Sequence, residues 1–156
     1  MGGKQLSPAC YRKLLIKGRY NISATCGKLF RRTLFDEYTL RTPREIVMGE
    51  DMLMNLRLAF ASSKPVRLVG GNSVYNYIQH GGNITHVFKL TADYEYVFHK
   101  ERLSSIPEEE HARYMPVMIY RRLRMLRRIL RCAQKDNTVE ELRTSAFVKE
   151  LLADIH

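Results

Sequence analysis

The stretch that organises this chain is GEDMLMNLRLAFA, at residues 49–61. Apolar side chains recur along it at the spacing of one helix face: Met52, Leu53, Leu56 and Phe60. The acidic pair Glu50 and Asp51 comes first, where the helix dipole favours negative charge. We therefore predict a helix that begins after Gly49 and ends before Pro65, which cannot continue it.

The residues before this helix predict one further helix and a β-prone segment. Ser7-Pro8 has the form of an N-cap followed by a proline at the first helical position, and the helix so begun stops at Gly18. Residues 22–32 favour β-structure and run into a basic segment.

The residues after it predict strands and then helices. Residues 66–69 and 73–77 alternate like two strands around a turn, and residues 80–86 form a polar, flexible loop. Beyond residue 90 we predict three helices: one over 91–103, a long one opened by a capping box at 105–108, and a last one from a second capping box at Thr138 to about Ile155. The fold class is therefore α+β, with a strand-containing domain at residues 1–90 and a helical region at 91–156.

Composition points to anionic partners. The 156 residues include 26 Lys and Arg against 16 Asp and Glu, a net charge of +10. Such a balance suits nucleic acid, anionic lipid or phosphorylated substrates. The three cysteines lack the spacing of a zinc or redox site, and no apolar run approaches the length of a membrane span. We expect free thiols and a cytoplasmic location, and the charge leaves contact with the inner face of the plasma membrane as an open alternative.

Several segments around residues 49–61 resemble one known family. CGKLFRRTLF, at 26–35, resembles the "K-L-[YF]-R-R-x-L-[FI]" segment of family 2 glycosyltransferases, and MGEDMLMNLR, at 48–57, is similar to their "G-E-D-x-x-[FL]-x-[LN]" segment. Residues 66–69 and 75–80 resemble the strands that follow, and residues 80–86 resemble the loop usually written "H-x-x-S-[IV]-[TS]". The order and intervals of these segments make the resemblance specific, and it covers roughly residues 6–86.

The resemblance implies part of a GT-A domain that transfers a sugar, with inversion, from a nucleotide sugar to a glycan or lipid-linked acceptor in surface polysaccharide synthesis. The family's catalytic base corresponds to Asp51, with Glu50 as its neighbour and acceptor contact. A single displacement needs one carboxylate within reach of the attacking hydroxyl. From spacing alone, the same pair is an ordinary acidic first turn of a helix.

The resemblance covers only the acceptor side of such an enzyme. The family's amino-terminal half carries a uridine-binding segment, "V-D-D-G-S-x-D" and a metal-binding Asp-x-Asp, none of which occurs in this sequence. The complete enzyme is expected to use a divalent cation, Mg or Mn, to stabilise the leaving diphosphate. We therefore expect catalysis to require that other half.

Three further residues are candidates for contact with donor or acceptor. Arg57 follows Asp51 on the predicted helix, where it could meet a phosphate or lie on the polar surface. His80 and His86 flank the polar loop, and His86 is the stronger candidate because this loop closes on the donor in the family. A solvated loop histidine is the favoured alternative for each.

A basic helix supplies a second hypothesis. Six arginines fall within residues 121–131, and no acidic residue occurs between Ala112 and Lys135. An apolar set at helical spacing (Ile119, Leu123, Leu126, Leu130) lies apart from a basic set (Arg121, Arg124, Arg128, Arg131). The helix could lie on an anionic membrane or contact phosphate, or it could pack its apolar stripe on the protein and leave the arginines in water.

The alternative to the enzyme is thus a non-catalytic basic module that binds anionic lipid or nucleic acid. Nucleic acid is the weaker partner, because no helix-turn-helix, RNP-like pattern or zinc finger accompanies the charge.

Overall fold

The computed structural model describes residues 4–18, 20–69, 78 and 88–156. This part of the chain is mostly helical with one small antiparallel sheet, consistent with the α+β class. It divides into two compact units, Met1–Phe88 (unit 1) and Lys89–His156 (unit 2), two residues before the boundary drawn from the sequence.

Unit 1 contains short elements around one longer helix. They are, in order, β1 (Lys4–Leu6), α1 (Pro8–Ile16), α2 (Tyr20–Ser23), a 3-10 turn (Arg32–Leu34), α3 (Glu37–Leu40), α4 (Glu50–Ala61) and β2 (Val66–Leu68). The predicted helices at α1 and α4 are confirmed. Ser7 caps α1 by accepting a 3.2 Å hydrogen bond from the Cys10 amide, and α1 ends before Gly18, whose φ of 66° an L-residue rarely adopts.

The core of unit 1 is the contact between α1 and α4. Leu15 and Ile16 of α1 and Leu53 and Leu56 of α4 are almost completely buried. Arg12 of α1 binds the carboxyl end of α4. Its Nε donates to the Ala59 carbonyl at 3.0 Å and its Nη2 to the Ser62 carbonyl at 3.1 Å. These carbonyls belong to the end of α4, where a helix lacks its own donors.

Two strand predictions have different outcomes. Residues 66–68 do form a strand, but its partner among the described residues is β1, antiparallel, with Leu6 opposite Val66. The predicted partner at 73–77 lies outside the described residues. The β-prone interpretation of residues 22–32 is wrong, since α2 ends at Ser23 and the next element is the 3-10 turn that begins at Arg32.

Unit 2 is built from helices. They are α5 (Ala92–Ser104), a 3-10 turn (Glu108–Glu110), α6 (His111–Asp136), α7 (Val139–Thr144) and α8 (Ala146–Ile155). No helix in the described part of the chain is long and apolar enough to cross a bilayer.

Both capping boxes predicted for unit 2 are wrong. Ser105 ends α5 instead, because its hydroxyl donates to the Glu101 carbonyl at 2.7 Å, and α6 begins only at His111. Thr138 makes no side-chain cap at α7. The predicted single last helix is interrupted at Ser145, which has an extended ψ of 151° and caps α8 by accepting from the Val148 amide.

The apolar core of unit 2 joins α6, α7 and α8. Its buried members are Met125, Ile129, Ala133, Leu142, Phe147 and Leu151. The apolar stripe predicted for the basic helix packs against this core at Ile119, Leu126 and Leu130, whereas Leu123 is 44% exposed. Three of the four stripe residues therefore contact the protein.

Unit 2 also buries charged groups. Arg122 is completely buried, donates to the Asp154 carboxylate and, at 3.2 Å, to the Phe147 carbonyl, and lies 3.5 Å from Glu150. These contacts connect α6 to α8. Arg102 is also completely buried and pairs at 3.1 Å with Glu95.

We predict that Arg122→Met destabilises unit 2 by about 3 kcal/mol, because Asp154 loses its cation and Glu150 keeps only Lys100. Arg128→Met is the matched control on the exposed side of the same helix, and should change the unfolding free energy by less than about 0.5 kcal/mol. Urea unfolding of both variants measures the difference. Equal stability of the two would contradict the structural role of Arg122.

His99 makes the stability of unit 2 depend on pH. Burial, with the Arg122 and Arg102 guanidinium groups adding to it, lowers the pKa of His99 to about 3 from an ordinary value of 6.5. The folded state keeps this imidazole neutral, whereas the unfolded chain protonates it below pH 6.5. Stability is therefore complete above that pH and falls by roughly 1.4 kcal/mol per pH unit toward the folded-state pKa. His99→Gln should remove this slope in chemical unfolding measured between pH 7 and 4; an unchanged slope would contradict it.

Candidate functional site

The best-defined polar site in unit 1 is at the amino end of α4. Gly49, with φ 93°, turns the backbone into the helix, and Asp51 follows in the first turn with its side chain partly exposed. The Asp51 Oδ1 accepts a 3.0 Å hydrogen bond from the Thr25 hydroxyl, and its Oδ2 lies 3.5 Å from the Thr25 amide nitrogen. The structure thus joins Thr25, which adjoins the 26–35 segment, to the 48–57 segment at this carboxylate.

A second contact fixes the same segment one turn later. Asn55 is fully buried, and its side-chain amide donates to the Ser23 carbonyl. Asp51 and Asn55 are four residues apart and so lie on one face of α4. The backbone around Thr25 is therefore held at two points against the start of the helix.

Lys28 is the cation of this site. Its Nζ is buried and has no hydrogen-bond partner among the described residues. Burial lowers the pKa of Lys28, while the charges of Asp51 and Cys26 act in the opposite direction. An ammonium withdrawn from water without an acceptor is costly, so this position suits an anionic oxygen of a ligand.

Sequence reasoning missed Thr25, Lys28 and Asn55 as members of the site. Lys28 is part of the "K-L-[YF]" segment quoted above. The spacing of the two residues along the sequence, 23 positions, does not indicate that Lys28 interacts with Asp51. The signal that could have found Lys28 is the resemblance, in which both segments are similar to parts of one family pattern.

The other residues of unit 1 that were proposed to contact donor or acceptor differ in their exposure to solvent. Glu50 is exposed beside Asp51. Arg57 is 1% exposed, so the polar-surface alternative is wrong, while its contact with donor or acceptor stays a prediction. Its guanidinium donates to the Arg41 carbonyl and lies 5.6 Å from the centre of the Tyr38 ring. This arginine ties α3 and the residue after it to α4. His80 and His86 lie outside the described residues.

The residues present do not form a metal site within the described part of the chain, where no group of three His, Cys, Asp or Glu side chains comes together. Asp51 has Thr25 and a lysine for neighbours, which is not the oxygen-rich set that Mg or Mn prefers. The arrangement can accept a proton and bind an anion.

The four arginines proposed for membrane or phosphate contact lie in unit 2 and differ in their exposure to solvent. Arg124, Arg128 and Arg131 are exposed on α6. Arg121 is half-buried, and burial, together with the charge of Arg102, lowers its pKa. Arg121 therefore faces the protein more than the solvent.

No protein-family model, curated protein or solved structure matches the chain. The candidate site is therefore supported by its own geometry and by the segment resemblance.

We predict that Gly49→Ala destabilises unit 1 by about 1–2 kcal/mol, because an L-residue with a β-carbon is strained at φ 93°. Gly49→Asn should lose less stability than Gly49→Ala, since asparagine tolerates the left-handed region better than alanine. The free energy of urea unfolding of the two variants measures this order. An alanine variant as stable as wild type would contradict the strained geometry at the start of α4.

Proposed function

We propose that this chain forms the acceptor side of an inverting nucleotide-sugar glycosyltransferase, with Asp51 as the base that deprotonates the acceptor hydroxyl. The observation that carries the proposal is the juxtaposition of the two segments that most resemble the family. Asp51 of the second segment acts electrostatically on the buried ammonium of Lys28 in the first. Thr25, adjoining the first segment, makes the direct hydrogen bond.

The chemistry of Asp51 suits this role. Its carboxylate is partly exposed and fixed by Thr25 through one oxygen, while the other oxygen makes only a long contact of 3.5 Å. A carboxylate has about four acceptor positions, so capacity remains for a substrate hydroxyl. Thr25 orients the base, and the Asn55 contact with Ser23 holds Thr25 in place. Such fixed orientation is what general-base catalysis requires.

Lys28 has the complementary role in the proposal. Transfer with inversion removes the acceptor proton at Asp51 while the acceptor oxygen forms a bond to the anomeric carbon and the nucleoside diphosphate departs. Negative charge moves toward the diphosphate, and the Lys28 ammonium, which the charge of Asp51 influences, is a buried positive charge that can stabilise it. Glu50 is exposed beside Asp51, and its role in the proposal is contact with the acceptor.

The test joins this chain to the amino-terminal half of a family 2 enzyme that carries the uridine-binding segment and Asp-x-Asp. Sugar transfer from a panel of nucleotide sugars is then measured. We expect transfer by the fusion, and a 10²- to 10⁴-fold loss of kcat in Asp51→Asn. Asparagine can still accept the Thr25 hydrogen bond, so the fold should survive, which circular dichroism checks.

Glu45→Gln is the matched control, because it removes an exposed carboxylate six residues before Asp51 and should leave kcat unchanged. Transfer that persists in Asp51→Asn would exclude Asp51 as the base. A folded fusion without transfer from any donor would contradict the proposed function itself.

A further inference from the structure

The outward face of α6 is a line of arginines. The buried residues of this helix include Tyr114, Met118, Arg122, Met125 and Ile129, which define its inner face. The opposite face follows the spacing 7, 4, 3 and 4 through exposed residues: Arg113, Tyr120, Arg124, Arg127 and Arg131. From the first to the last of these the helix rises about 27 Å.

The charge on this face is not neutralised by the protein. Arg124, Arg127, Arg128 and Arg131 make no ion pair within the part of the chain that the structure describes. Arg113 has one, at 3.4 Å to Glu110, and it is loose and exposed. Arg122 differs, because it is buried with its own carboxylates. The structure therefore separates a fold-supporting arginine from an exposed set of four on the same helix.

Apolar side chains accompany the arginines. Tyr120 is 51% exposed and Leu123 is 44% exposed, and both lie near the middle of the arginine line. Tyrosine and leucine beside arginines are the combination found where a helix lies in a membrane interface, with rings at headgroup level and guanidinium groups on phosphates. A nucleic-acid site would not need the exposed leucine.

We propose that the outward face of α6 binds the surface of an anionic phospholipid membrane, with Arg124, Arg127, Arg128 and Arg131 on headgroup phosphates and Tyr120 and Leu123 at the acyl boundary. The residues of the predicted apolar stripe, apart from Leu123, remain packed on unit 2, so contact is shallow and mainly electrostatic. The proposal does not depend on the catalytic role of Asp51.

The expected strength follows from the number of charges. Each arginine close to an anionic leaflet raises partitioning about fivefold, so four together contribute roughly two to three orders of magnitude. Because the attraction is between exposed charges, it should weaken steeply as the ionic strength rises.

The test is co-sedimentation of the full chain with vesicles of phosphatidylcholine alone and of phosphatidylcholine mixed with phosphatidylglycerol. We expect binding only to the mixed vesicles. Replacement of Arg124, Arg127, Arg128 and Arg131 by Gln should lower the partition coefficient roughly 100- to 1000-fold, while glutamine retains the helix propensity of arginine. Leu123→Gln, which keeps every charge, should cause a smaller loss.

The matched control removes four exposed basic residues of unit 1: Lys4, Arg44, Lys64 and Arg67. It changes the net charge equally, so a similar loss of binding would show that only overall charge matters and would overturn the proposal. Equal binding to neutral vesicles would also overturn it. A duplex RNA or DNA that competes away all vesicle binding at low concentration would assign the face to nucleic acid instead.

Discussion

Helix α4 is held at both ends by side chains from distant parts of the sequence, and unit 1 depends on this arrangement. Arg12 binds the carbonyls that α4 leaves unsatisfied at its carboxyl end. At the amino end, Asp51 and Asn55 bind the backbone and hydroxyl of residues 23–25. The apolar contact with α1 buries the helix between these points, so the candidate base is positioned by the same contacts that build the core.

Unit 2 is organised differently, around the buried cation Arg122. A completely buried arginine is rare, and its charge must be paired with carboxylates or other acceptors. Here its carboxylate partners and the Phe147 carbonyl all belong to α8, which fixes that helix against the centre of α6. This orientation leaves five arginines of α6 exposed, Arg113, Arg124, Arg127, Arg128 and Arg131, while Arg121 stays half-buried. The inner face of this basic helix therefore supports the fold, and its outer face carries the exposed arginines.

Local signals in the sequence were sufficient for α1 and α4, because caps, glycines, prolines and helical spacing all agree there. They failed at residues 22–32, where β-prone side chains are overridden by the contacts of residues 23–25 with α4. The burial of Arg122 could not be predicted, since its partners lie 28 and 32 positions away and arginine is ordinarily exposed. Asp51 was identified from the family pattern, but its Thr25 contact required the fold.

The ion pairs enclosed in unit 2 also give the two units different responses to temperature. The cost of removing charges from water decreases on heating, because their hydration becomes less favourable. Burial of apolar side chains such as Leu53 and Leu56, which dominates the α1–α4 contact, weakens on cooling. Cold should therefore weaken the apolar contacts of both units, while the buried ion pairs of unit 2 keep their cohesion as the temperature rises.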